Sequence, residues 1–228
     1  MQTIPPDTAL RRLQKGNQRF VAGTSRCNLA PTAARRAKLL AGQQPFAIVL
    51  GCSDSRVPAE LVFDQGLGDL FVIRVAGNVV APSQVGSVEF AAAQFATSLV
   101  VVLGHTQCGA VAATVDCLLG PEPVPSENLR AIVGRVQPSV EPLLSTELRH
   151  HREALIAAAV RANVRASANH LRHGSAILEG LTRSGQLQVV GAEYSLETGR
   201  VHFFDGMLSP SGSTSPGRAS RTGRVSPT

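Results

Sequence analysis

The chain has 228 residues, 43% of them hydrophobic and only 17% charged, which is enough apolar material for a core and excludes disorder throughout. Its formal charge of +6 is unevenly placed: from Gly206 onward three arginines (Arg218, Arg221, Arg224) meet no acid, so half of the excess sits at the C-terminal end. With 4% aromatics, one tyrosine and no tryptophan, the chain lacks the stacking platforms that a nucleic-acid surface sets beside its cations.

Pro5, Pro6 and Asp7 mark the start of a helix, and Leu10, Leu13, Phe20 and Val21 follow at helical spacing, predicting an amphipathic first helix. The stretch PTAARRAKLLAG predicts a second, with Pro31 at its first position and Gly42 past its end. Such helices pack on their own domain or cross to a neighbour; residues 1–45 are assigned as an N-terminal helical extension packing on a partner subunit. The opening residues lack the apolar centre of a signal peptide. The longest apolar runs, LVVVLG and ALIAAAV, are far short of the ~20 residues that span a bilayer. A cytoplasmic location is therefore expected, a reducing setting in which the four cysteines form no structural disulfides.

From residue 46 the pattern changes. FAIVLG, LFVIRV, LVVVLG and LQVVGAEYSL are short runs rich in β-branched residues. Helical stretches separate them: PAELVFDQ, VGSVEFAAAQFA, AVAATVDCLLG and two further segments. This alternation predicts an α/β fold with a mostly parallel central sheet flanked by helices on both faces. TGRVHFFDG is expected to return as an antiparallel edge strand after a turn at Glu197-Thr198-Gly199. Residues 46–206 thus form one α/β domain. Residues 207–228, dominated by Ser, Gly, Pro, Thr and Arg without periodicity, are expected to be a disordered basic tail.

Sheets of this kind bind ligands beyond the carboxyl ends of their strands. Two unusual stretches fall there, CSDSR after FAIVLG and GHTQCG after LVVVLG. Cys52, His105 and Cys108 are the ligand types zinc takes, and three protein ligands leave one tetrahedral corner open, as in catalytic zinc. A lone cysteine is more often packing; the joint placement at two strand ends, each beside a glycine, argues for a metal. Asp54 and Arg56 admit two arrangements. Asp54 takes the fourth zinc position itself, or it pairs with Arg56 and leaves that position to water, and only the second allows catalysis. Two thiolates cancel the formal charge of Zn²⁺, so this metal should acidify water less than one held by neutral ligands, which brings water to a pKa of ~7. Activity is expected to favour alkaline pH.

CSDSR, FVIRVAGN and GHTQCG together resemble the β-class carbonic anhydrases, over about Leu10 to Asp205. The resemblance implies zinc-hydroxide-dependent, reversible hydration of CO2 to bicarbonate and a proton, one zinc per subunit, and a homodimer or tetramer with the active site at the subunit interface. It carries Cys52, His105 and Cys108 over as zinc ligands and Asp54–Arg56 as the catalytic dyad, with Asp54 the alternative fourth ligand of a closed state. Gln43, nine residues before Cys52, matches a glutamine that reaches the substrate from the neighbouring subunit; Gln44 stands beside it. Phe71 and Ala76 match positions lining the apolar CO2 pocket, and Gly109 matches a small residue whose N–H contacts bicarbonate. One position departs. Some bacterial members bind regulatory bicarbonate with a tryptophan three residues before the first zinc cysteine; here that residue is Val49, although Arg74 and Tyr194 match other parts of that site. The incomplete set argues against bicarbonate gating.

His170 and His173 precede Gly174 in what reads as the last turn of a helix, where cations suit the dipole. His150 and His151 lie in a charged run, and Cys27 and Cys117 read as packing or incidental thiols. Two other functions compete with CO2 hydration: hydrolysis of carbonyl sulfide or carbon disulfide on the same zinc, and a non-catalytic zinc-stabilised binding module in which Asp54 stays on the metal.

Overall fold

The computed structural model describes residues 4–26, 32–120, 124 and 126–207. Cys27, Pro31 and the tail beyond Met207 lie outside the described residues. Strands β1 (Ala47–Gly51), β2 (Leu70–Arg74), β3 (Leu99–His105) and β4 (Gln188–Tyr194) are parallel, and β5 (Val201–Asp205) returns antiparallel to β4. The sheet order is β2-β1-β3-β4-β5. After β1 the chain builds to one side, then crosses back to build to the other. The direction of winding therefore reverses between β1 and β3, and the crevice where ligands bind in such sheets lies at the carboxyl ends of those two strands.

The helices in chain order are α1 (Pro6–Val21), α2 (Ala33–Leu39), α3 (Ala59–Val62), α4 (Pro82–Phe95), α5 (Gly109–Leu119), α6 (Glu127–Val140), α7 (Arg152–His173) and α8 (Ala176–Arg183). Every residue of β1 and β3 is buried, because alternate side chains face two different helical layers. Ala47, Val49, Leu99, Val101 and Leu103 pack with α1 and α3. Ile48, Leu50, Val100 and Val102 pack with α4, α7 and α8. A third cluster closes the carboxyl ends: Val111 and Val115 of α5, Val136 and Val140 of α6, and Leu155 and Val160 of α7 surround Cys52 and Cys108. Among the described residues no helix is long and apolar enough to cross a membrane.

Helix α1 buries Ala9, Leu10 and Leu13 against its own sheet. At Gly16 it comes so close to the end of α3 that a Cβ would stand 1.8 Å from the Phe63 carbonyl oxygen, a contact only glycine permits. Asn17 then donates to the carbonyls of Val62 and Gly199 and accepts from the Val201 N–H, tying α3 to the β4–β5 turn.

Two elements differ from the sequence expectation. The second helix begins at Ala33, because Thr32 supplies the cap: its hydroxyl accepts the Arg35 N–H at 3.2 Å. None of its residues is buried. The helix expected over PAELVFDQ is a single turn. Asp64 adopts φ +48 and ends it, and the buried Asp64 carboxylate is held by the Arg19 guanidinium and the Arg26 N–H.

Candidate metal centre

Cys52 is the first residue after β1, and His105 is the last residue of β3. The loop after His105 turns at Gln107, with φ +56, so that Cys108 caps the N-terminus of α5. Its start is fixed to β4: the Thr106 N–H donates to the Tyr194 carbonyl at 2.9 Å, and the Leu196 N–H donates to the Thr106 hydroxyl at 3.0 Å. Neighbouring parallel strands thus deliver three side chains to one point.

The two sulfurs are 4.0 Å apart, and the three ligand atoms all lie within 4.8 Å of one another. Two sulfurs each ~2.3 Å from a tetrahedral zinc would be separated by about 3.8 Å, so the observed spacing suits the ion. His105 is fully buried. Its Nδ1 faces the Thr106 carbonyl at 2.9 Å; a carbonyl only accepts, so Nδ1 carries the proton. Nε2 is left as a buried bare acceptor without a protein partner. An orphaned buried nitrogen is costly, and a metal ion is the partner that two cysteine sulfurs beside it would share. Among the described residues this is the one such group that could hold a metal ion.

Protonation follows the same geometry. The hydrogen bond from Cys108 and, more weakly, the nearby His105 ring and the Gly77 N–H push the Cys52 thiol down against burial. Cys108, beside that negative sulfur and buried, is pushed up. Burial opposes charge on His105, but the neighbouring Cys52 sulfur, the Thr106 carbonyl and Asp54 outweigh it and raise its pKa. Cys108 therefore keeps its proton where a cation would sit, and metal binding would expel it.

Asp54 lies at the rim. Arg56 holds it with three hydrogen bonds: backbone N–H to Oδ1 at 3.0 Å, Nε to Oδ1 at 2.9 Å and Nη2 to Oδ2 at 2.7 Å. This grip keeps the carboxyl well below the usual carboxylate range. Oδ2 stands 3.9 Å from His105 Nε2. Of the two arrangements open in the sequence, the carboxylate paired with arginine is the one observed.

Arg74, read from sequence only as part of an incomplete regulatory site, instead braces the loop. Its Nε donates to the Cys52 carbonyl at 3.0 Å and its Nη2 to the Asp54 carbonyl at 2.6 Å. It stands at the carboxyl end of β2, in register with Gly51. Val49 is fully buried, and Tyr194 is buried with its ring 6.5 Å from that of Phe20.

Of the other residues singled out in the sequence, Gly109 and Ala76 adjoin the cysteines and the rest lie apart. Gly109 follows Cys108 as the first residue of α5, with open space where a Cβ would be. Ala76 begins a single 3-10 turn, Ala76–Asn78, whose Gly77 N–H donates to Cys52 Sγ at 3.4 Å. Phe71 turns toward α4, its ring 6.3 Å from Phe90 and 6.1 Å from Phe95. Gln43 and Gln44 are exposed before β1, at the opposite end of that strand from Cys52. Within one chain neither Phe71 nor Gln43 joins the cysteines. His170 and His173 occupy the last turn of α7, His150 and His151 are exposed, and Cys117 is half-buried on α5.

A family model described as carbonic anhydrase matches residues 47–201. Carbonic anhydrase of Mycolicibacterium smegmatis is 44% identical over 204 residues, covering 88% of this chain and 94% of that protein. Carbonic anhydrase 2 of Mycobacterium tuberculosis is 39% identical over 211 residues, with the same coverage. The solved β-carbonic anhydrase CafA of the fungal pathogen Aspergillus fumigatus matches with a TM-score of 0.68 at 28% identity, over 89% of this chain and 92% of that one. On the sheet topology, the sequence match and the structural likeness together, this chain belongs to the β-carbonic anhydrases, a lyase family whose reaction is the hydration of CO2.

Proposed function

We propose that this chain interconverts CO2 and bicarbonate at one zinc ion held by Cys52, His105 and Cys108, with Asp54 and Arg56 as the catalytic dyad. The observation that carries this reading is the buried, partnerless His105 Nε2 beside two sulfurs 4.0 Å apart, with the Asp54 carboxylate locked by Arg56 at the rim. When bound, zinc would supply the Lewis acidity that makes water a nucleophile, more fully toward alkaline pH because two thiolates blunt it.

The remaining work falls to the chain. Arg56 occupies both carboxylate oxygens of Asp54 and so keeps them off the metal. Oδ2 retains a lone pair with which to accept the O–H of the attacking water. That hydrogen bond turns the oxygen lone pair toward CO2, and because Asp54 stays ionised it remains an acceptor throughout the neutral range. We assign the Gly109 N–H, at the start of α5, as the donor to the oxygen on which charge develops. Ala76 lines the apolar side. The product proton leaves to solvent or buffer.

Gln43 and Phe71 lie away from the cysteines of their own chain, so we assign both to the site of a second copy in a homodimer or an assembly of dimers. Leu39, Gln43, Gln44, Gln94 and Phe95 share one groove there, next to the exposed Phe90 and Leu40. This also gives the extension 1–45 two roles: α1 packs on its own sheet, and α2 with the following residues is left to the partner. Free Cys52 and Cys108 as metal ligands suit a reducing, cytoplasmic setting. A purely structural zinc would hold Asp54 as a permanent fourth ligand, for which a restraining guanidinium has no use.

Zinc content and CO2 hydration, measured on the wild type and Cys108→Ser, test the reading. One zinc per subunit with turnover is expected for the wild type, and loss of both for the variant. Turnover by a zinc-free wild type would overturn it, and turnover of carbonyl sulfide in place of CO2 would redirect it to the sulfur substrates.

A further inference from the structure

The turn Ala76–Asn78 is held from outside the site. Gly77 and Asn78 both have positive φ, +67 and +44, a strained pair in which the non-glycine residue persists only because its surroundings impose it. The surroundings are two side chains of α7. Asn163, 1% exposed, donates through Nδ2 to the Gly77 carbonyl at 2.7 Å. Ser167, one helical turn on and 5% exposed, donates through Oγ to the Asn78 carbonyl at 3.1 Å. Gly77 itself has little freedom to move. A Cβ there would come within 3.2 Å of the Ala110 Cβ and 3.5 Å of a Val136 methyl. The consequence is at its other face, where the Gly77 N–H points at Cys52 Sγ, 3.4 Å away.

We propose that Asn163 is a positioning residue of the metal centre: by holding the Gly77 carbonyl it aims the Gly77 N–H at the Cys52 sulfur and so sets how much charge that thiolate gives the metal. The inference rests on the assignment of Cys52 as a zinc ligand. Its physical basis is the charge balance of the donor set. Two thiolates neutralise Zn²⁺ and blunt its acidity, and an N–H directed at one of them withdraws density from the sulfur and restores part of it. Partners of this kind, one step behind the ligands, tune both affinity and reactivity. Asn163 suits the task because it is buried, short and carried on a 22-residue helix packed across the sheet. Its own donor has no competing solvent.

The test uses the full chain loaded with cobalt(II), whose sulfur-to-metal charge-transfer bands report the thiolates directly, together with zinc affinity from competition with a chelator. Wild type is expected to show thiolate charge-transfer bands; their absence would sink the zinc-ligand assignment itself, separately from the role of Asn163. In Asn163→Ala the Gly77 N–H loses its aim, the sulfur lone pairs rise in energy, and the bands move to longer wavelength. Cys52 is also less well oriented before the metal arrives, and that loss of preorganisation lowers zinc affinity by about 10-fold. A folded Asn163→Ala protein with unshifted bands and wild-type zinc affinity overturns the proposal. If that variant does not fold, Ser167→Ala is read instead, since it releases the other carbonyl of the same turn. A red shift smaller than that expected for Asn163→Ala supports the proposal, and an unchanged spectrum overturns it.

Discussion

The two ends of β1 are built in opposite ways. Its carboxyl end is closed within one chain: Arg56 and Arg74 pin the Cys52–Arg56 loop, Thr106 ties the opposite loop to β4, and Asn163 holds the turn between them. Its amino end is preceded by Gln43 and Gln44, exposed, on a stretch that follows a helix with no buried residue. The difference teaches that one chain's fold alone preorganises the Cys52–His105–Cys108 group, whereas on the proposed function the substrate-orienting half would depend on assembly. Metal binding and turnover should therefore be separable.

Breaking the closed end has the largest expected effect. Cys108→Ser removes a ligand from a site that tolerates no fewer than three, and zinc and CO2 hydration should fall together to background. Arg56→Ala should keep zinc, measured by metal analysis, while turnover drops by about 100-fold or more, because Asp54 loses its restraint and its orientation.

The open end should respond differently. On the proposed assignment Gln43→Ala would remove one orienting hydrogen bond across an interface, and turnover should fall by about 10-fold with zinc content unchanged. Dilution sharpens the point: activity per subunit should decline as assemblies dissociate, while chelator competition reports the same zinc affinity. Activity and affinity falling together on dilution would show that the metal half also needs the partner.

pH gives a smaller, graded effect with a definite sign. The folded pKa of Asp54 is lowered, so the ion pair with Arg56 is intact above the unfolded carboxylate value of ~3.9 and is lost only as pH falls through the still lower folded value. Between pH ~6 and ~9 Asp54 does not titrate. Any fall in rate toward acid across that window belongs to the metal-activated water, whose acidity two thiolates keep modest. CO2 hydration rates should rise toward alkaline pH, and a profile flat down to pH ~6 would contradict the charge argument. The least change is expected from Leu40→Ser, 88% exposed: subunit stability should stay within about 0.5 kcal/mol by denaturant melts.

Much of this was legible in the sequence, for reasons that differ by element. The strands were readable because β1 and β3 are buried on both faces and their apolar runs are unbroken. The Cys52–His105–Cys108 group was readable because thiols and an imidazole at the ends of such runs have no packing explanation in common. Helix α3 was overread because its terminator is a left-handed Asp64, whose conformation is imposed by Arg19 and the Arg26 N–H from distant parts of the chain. The brace formed by Arg74 and the hold of Asn163 on Gly77 were invisible for the same reason. Their partners are backbone carbonyls, which carry no sequence signal, and Asn163 lies 86 residues from the carbonyl it grips. Phe71 and Gln43 could be named as site positions but not placed, since one chain does not bring them to the cysteines.

Zinc K-edge absorption on the purified protein tests the central claim most directly. The account predicts a shell of two sulfurs at about 2.3 Å and one imidazole nitrogen at about 2.0–2.1 Å, completed by a light-atom ligand from solvent. A zinc shell without sulfur, or one in which the Asp54→Asn substitution removes a ligand at alkaline pH, would contradict it.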